Sequence, residues 1–189
     1  MKRLDQIVLI GAFIGFSWLA MQAAHELGHV LGAVMTGGKV NKVVLHPCTL
    51  SRTDVFPNPH PLLEAWAGPV FGVVLPFLAL LVARALRAPG LYLFRFFAGF
   101  CLIANGVYVG LGSIQGVADA GVMLMHGSAR WHLILFGVLT TPLGLYLWNG
   151  LGPAFGLGKA RGEVSRPAAL TALGLFILLA GTEILIGSR

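Results

Sequence analysis

The chain has 189 residues, 57% of them hydrophobic and only 11% charged, with a formal net charge of +6. Soluble domains carry about a quarter of their residues charged, so this composition excludes a largely wet surface and assigns the chain to lipid. The basic residues stand singly or in pairs between apolar runs, which is the pattern of a membrane topology signal and not of nucleic-acid binding.

Five apolar runs follow one another, at residues 6–36, 62–85, 91–111, 131–151 and 168–186. Each approaches or exceeds the roughly 20 residues that cross a hydrocarbon core, and each must be helical because lipid offers backbone groups no partners. The predicted fold class is therefore an all-α polytopic membrane protein of about five transmembrane helices, with a short β-hairpin after the first. No composition shift or repeat divides it, so residues 1–189 are expected to form one membrane-embedded domain. The opening "MKRLDQIVLIGAFIGFSWLAMQAA" has the layout of a cleavable signal peptide, but the apolar run continues past Ala24, and a retained helix is expected.

Between the first two runs lies "GGKVNKVVLHPCTLSRTDVFPNPHP", residues 37–61. Gly37 and Gly38 stop the helix, the valine and threonine content up to Val55 favours paired strands, and Pro57, Pro59 and Pro61 end them. Such a hairpin is either a connector or an edge to which an unwound peptide adds as a strand. Residues 112–130 are polar at first and then suit one short helix. Cys48 and Cys101 form neither a disulfide framework nor a metal-binding pair.

The first run carries His25, Glu26 and His29. A charged side chain at mid-bilayer costs about 2.5 to 3.5 kcal/mol on insertion scales, so three ionisable groups in one segment call for compensation. A bound cation supplies it. Histidines four apart share one helix face and can share one metal, and a glutamate beside the first is placed to take a proton from metal-bound water. With six histidines and four glutamates in the chain, an accidental HExxH would arise in roughly 4 of 1,000 shuffled sequences. The alternative, polar residues that simply bond neighbouring helices, leaves the spacing unexplained.

Catalytic zinc normally has three protein ligands and an open position. Candidates for the third are Asp119, Asp54, His46, His60, Glu64, His126, His132 and Glu183. Asp119 is preferred, because Gly116 and Gly121 beside it let the backbone bend towards another helix; its alternative role is a helix N-cap. Glu183 is expected to reach interfacial water, Trp131 and His132 to anchor a helix end, and Met123 and Met125 to pack. From Gln6 to His25 a helix rises about 28 Å, so the motif lies near the hairpin end, where water enters.

These residues resemble the site-2 protease type of intramembrane zinc metalloprotease: HELGH in an early membrane helix, a glycine-led hairpin, "WAGPVFG" opening the next helix, and an Asp-x-Gly element after a later one. The resemblance implies one zinc per chain, held by His25, His29 and Asp119, with Glu26 as catalytic base and Asn105 holding substrate or the oxyanion. It implies transmembrane protein substrates cut within the lipid bilayer, in a multi-pass protein of the cell membrane. The family's Leu-Asp-Gly is written here Ala118-Asp119-Ala120-Gly121, and Gly72 stands where its Gly-Pro-x-x-Asn places asparagine. No segment suits a PDZ or other regulatory domain, so a minimal catalytic core is expected.

Orientation has two readings. Lys2, Arg3, Arg84, Arg87, Lys159, Arg161 and Arg166 on the side of the N-terminus, against Lys39, Lys42, Arg52 and Arg130 on the other, place the N-terminus in the cytoplasm. The resemblance places the hairpin there instead. Rival functions are a membrane di-iron oxygenase, which needs more histidine clusters, a non-proteolytic metal or ion carrier, which needs ligands along several spans, and a catalytically inactive relative that binds membrane proteins.

Overall fold

The structure, a computed structural model, describes residues 2–187. Its elements run α1 (Lys2–Met35), β1 (Val40–Val44), β2 (Arg52–Val55), α2 (Pro61–Ala85), α3 (Leu91–Gln115), α4 (Ala118–Met125), α5 (Arg130–Trp148) and α6 (Arg166–Gly187), with 3-10 turns at Gly152–Phe155 and Gly158–Ala160. Helices α1, α2, α3, α5 and α6 are each long and apolar enough to cross a membrane. The all-α class with a hairpin after the first helix is thus what the chain adopts. Helix α3 extends to Gln115, past the apolar run, whereas α5 stops at Trp148 and Leu151 turns inward to a buried position.

Helix α1 ends where Gly37 adopts φ +80°, a left-handed conformation that lets the Gly38 amide donate back to the Ala33 carbonyl at 2.8 Å. The chain then forms the antiparallel pair of β1 and β2, with Lys42 opposite Asp54, Val43 opposite Thr53 and Val44 opposite Arg52. Strand β2 lies against α1, and this places the hairpin over the second half of the HELGH helix.

Helices in lipid gain little from the hydrophobic effect, so close approach depends on small residues. Two such seams organise the bundle. On α1, Gly28 and Gly32 face α2: a Cβ at Gly28 would strike the Ala67 carbonyl, and one at Gly32 the Ala67 side chain. On α3, Gly99 and Gly106 face α5, where Gly144 and Gly137 meet their carbonyls. Helix α6 packs along α1, with Phe176 over Gly15. The end of the bundle away from the hairpin is filled by Leu9, Phe13, Leu151, Phe155, Ala169 and Ala172.

Candidate metal centre

Helix periodicity places His25 and His29 one turn apart on α1, and the α1–α2 seam limits how far the His29 ring can move. A Cβ at Gly68 would fall on the His29 imidazole, so the absence of a side chain there makes room for the ring. The third group arrives from α4. Gly116 caps α3 with φ +67°, Ala118 follows with φ +51°, and the reversal turns Asp119, in the first turn of α4, back towards α1. A non-glycine residue held in the left-handed region costs of order 1 to 3 kcal/mol, and such strain gathers at functional sites. The N-cap of α4 is Val117, with no side-chain hydrogen bond, so Asp119 is not spent as a helix cap.

The donors converge. His25 Nε2 lies 2.9 Å from Asp119 Oδ2, His29 Nε2 lies 3.3 Å from the same oxygen, and the two Nε2 atoms are 3.0 Å apart. Among the described residues these three are the group of histidine, cysteine and carboxylate side chains positioned to hold one metal ion. Tetrahedral zinc with bonds of about 2.0 to 2.1 Å separates its donors by about 3.3 Å, so the triangle fits after opening by a few tenths of an ångström. Two imidazoles and a carboxylate are also the donor chemistry that zinc takes. Burial opposes ionisation of Asp119, but the hydrogen bonds of His25 and His29, with their charge when protonated, outweigh it and hold the carboxyl of the metal-free centre well below the usual carboxylate range.

Glu26 is buried beside this triangle, and the Thr53 hydroxyl of β2 donates to its Oε2 at 2.7 Å. The His25 and His29 rings turn their other nitrogens outward. His25 Nδ1 donates to Asn105 Oδ1 at 2.7 Å, and His29 Nδ1 faces Glu64 Oε1 at 2.8 Å and the Glu64 carbonyl at 3.0 Å. Asn105 in turn donates through Nδ2 to the Cys101 carbonyl at 2.9 Å, in the space left open by Gly72. The centre opens into a cavity of about 860 Å³ between α1, α3 and β2, lined by Trp18, Met21, Val107, Tyr108 and Thr53 among others.

A family model described as Peptidase M50B-like matches residues 7–109, more than half of the chain. The chain belongs to this family of site-2 proteases. The matched segment contains His25, Glu26, His29, Glu64 and Asn105 and ends before Asp119. A search of the curated proteins and a search of the solved structures each return no match. Membership aligns this M50B-like chain with membrane metallopeptidases and, together with its five apolar helices, with multi-pass proteins of the bilayer.

Of the other candidate ligands in this M50B-like chain, Glu64 lies behind His29 and outside the triangle. Asp54 pairs with Arg52 at 3.3 Å on the exposed hairpin, His60 sits at the N-cap of α2, and His126 Nδ1 faces the Val122 carbonyl at the end of α4. Glu183 does not reach interfacial water as expected: it is 4% exposed, with Oε1 unpaired among the described residues. Met123 packs in the core, but Met125 is 82% exposed, because residues two apart on a helix point to opposite sides and only one of them can face the bundle. Sequence reasoning missed Thr53, whose only signal was a β-forming context, and the Gly28/Gly32 pair, whose small-xxx-small spacing was readable.

Proposed function

We propose that this chain is an intramembrane zinc endopeptidase that hydrolyses peptide bonds of transmembrane protein substrates. One observation carries the reading: the Nε2 atoms of His25 and His29 and a carboxylate oxygen of Asp119 converge beside Glu26 at the floor of a cavity large enough for a peptide segment. His25, His29 and Asp119 would hold one zinc ion, which supplies Lewis-acid polarisation of the scissile carbonyl and lowers the pKa of water to about 7.

The chain's own groups do the rest. Glu26 takes a proton from the attacking water and returns it to the leaving amine, while the Thr53 hydroxyl holds its Oε2 in place. A substrate helix hides its amides in internal hydrogen bonds, so it must unwind before attack. Strand β2 lines the cavity and offers backbone groups to such a segment. The apolar cavity wall between α1 and α3 suits side chains that arrive from lipid.

The test uses the purified 189-residue chain, reconstituted with a model transmembrane substrate, and follows bound metal and cleavage together. Stoichiometric zinc is expected, with cleavage lost in Glu26→Gln while zinc is retained, and zinc lost in Asp119→Ala. Zinc bound without cleavage of any substrate tried would favour the carrier or the inactive relative; absence of zinc would end the proposal.

A further inference from the structure

Both histidines of the centre are held from behind, and by different chemistry. The Cys101 carbonyl accepts from Asn105 Nδ2, which fixes the amide so that Oδ1, a pure acceptor, faces His25 Nδ1. Glu64 presents two more acceptors, Oε1 and its own carbonyl, to His29 Nδ1. An imidazole nitrogen that meets only acceptors carries a proton, so in the neutral, metal-ligating form of each ring the Nδ1 proton stays on this outer contact and the lone pair lies on Nε2, the atom that faces Asp119. Glu64 and Asn105 are 9% and 1% exposed, and neither lies in the metal triangle. Burying a carboxylate in a membrane helix without function is expensive.

We infer that Glu64 and Asn105 are positioning residues for the metal centre: Glu64 orients and electronically strengthens His29, and Asn105 orients His25. This inference rests on the zinc reading above, and it gives Asn105 a different task from the substrate or oxyanion contact that the family resemblance implies. The arrangement is asymmetric. The carboxylate behind His29 raises the basicity of its Nε2, whereas the amide behind His25 supplies orientation alone. The seam of Gly28, Gly32 and Gly68 makes this possible, because it brings the first turns of α2 near enough for Glu64 to reach the ring.

The experiment measures zinc affinity by competition with a fluorescent chelator, on the 189-residue chain in lipid nanodiscs, together with the thermal midpoint of the metal-free protein. Glu64→Leu and Asn105→Leu are each expected to weaken zinc binding by about 10- to 100-fold, the usual effect of removing an outer-shell partner. Glu64→Gln keeps an acceptor but not the charge and recovers part of the loss; Asn105→Asp keeps the acceptor and restores affinity. These conservative variants carry the test if the leucine variants fail to fold. In the zinc-loaded protein, the His29 Nδ1 proton should resonate far downfield and move upfield in Glu64→Gln, which a purely structural role would not produce. Zinc affinity within about threefold of the original in all four variants, at unchanged thermal midpoints, would overturn the inference. So would absence of zinc from the unmodified chain. Affinities that fall as expected while Glu26→Gln still cleaves would instead support the positioning roles and sink the peptidase mechanism.

Discussion

The two ends of this bundle solve the same solvent problem in opposite ways. At the hairpin end, His25, Glu26, His29, Glu64, Asn105 and Asp119 are drawn together, each with a polar partner between 2.7 and 2.9 Å away. At the other end, Phe13, Phe16, Phe96, Phe97, Trp148 and Phe155 form an aromatic cluster, with Phe96 and Trp148 stacked at 4.9 Å. Polar contact there is peripheral, through Gln6 Nε2 to the Phe155 and Gly156 carbonyls and Trp148 Nε1 to the Phe96 carbonyl. Lipid competes for neither kind of contact in the way water would, so the polar end depends on mutual satisfaction and the aromatic end on dispersion. Damage at the first should therefore change chemistry, and damage at the second should change stability.

The sharpest separation of the two comes from Gly68. In Gly68→Val the new side chain would occupy the His29 ring, and the ring cannot retreat because Glu64 lies behind it. Zinc affinity should fall by more than the roughly 100-fold upper range of an outer-shell loss, measured by chelator competition. Retained tight binding would show that the ring has another place to go and that the α1–α2 seam does not define the site.

That prediction also marks where the sequence stopped speaking. The five spans were legible because lipid forces continuous apolar helices, and the hairpin because glycines and prolines bracket β-branched residues. The pairing of His25 with His29 was legible from helix period alone. Spacing alone does not bring Asp119, rather than one of seven other candidates, up to the two histidines, since its position depends on the reversal at Gly116 and Ala118. Glu64 looked like a possible ligand because composition cannot distinguish a group that faces a metal from one that faces the back of an imidazole. Asn105 carries the same lesson. Its contact with His25 needs the gap at Gly72 and the approach of α3 to α1, which no local pattern encodes.

At the aromatic end, Phe155→Ala tests the other half of the comparison. The Phe155 ring is buried against Tyr92 and Phe96 at centroid distances of 5.3 and 5.2 Å. In water such a truncation costs about 3 to 5 kcal/mol; in lipid the transfer part shrinks and the cavity part, about 24 cal/mol per Å³, leaves roughly 2 kcal/mol. Unfolding midpoints in a fixed detergent should fall accordingly, with zinc affinity of the folded fraction unchanged. A drop in affinity of comparable size would mean that the two ends are coupled through α1 and that the division drawn above is false.

The smallest effect is expected at Thr53, and it probes whether the hairpin belongs to the polar end functionally or only by position. Thr53→Val is nearly isosteric and removes one donor, the hydroxyl at 2.7 Å from Glu26 Oε2. A hydrogen bond to a charged group is worth about 1.5 to 3 kcal/mol, but part of this returns when water or a substrate amide replaces the hydroxyl. About a tenfold fall in kcat is therefore expected, with KM and zinc content unchanged and with activity restored in Thr53→Ser. A change in KM alone would assign Thr53 to substrate holding on β2. No change in either constant would mean that Glu26 is oriented by α1 itself, and the hairpin would then contribute a wall of the cavity and nothing to the base.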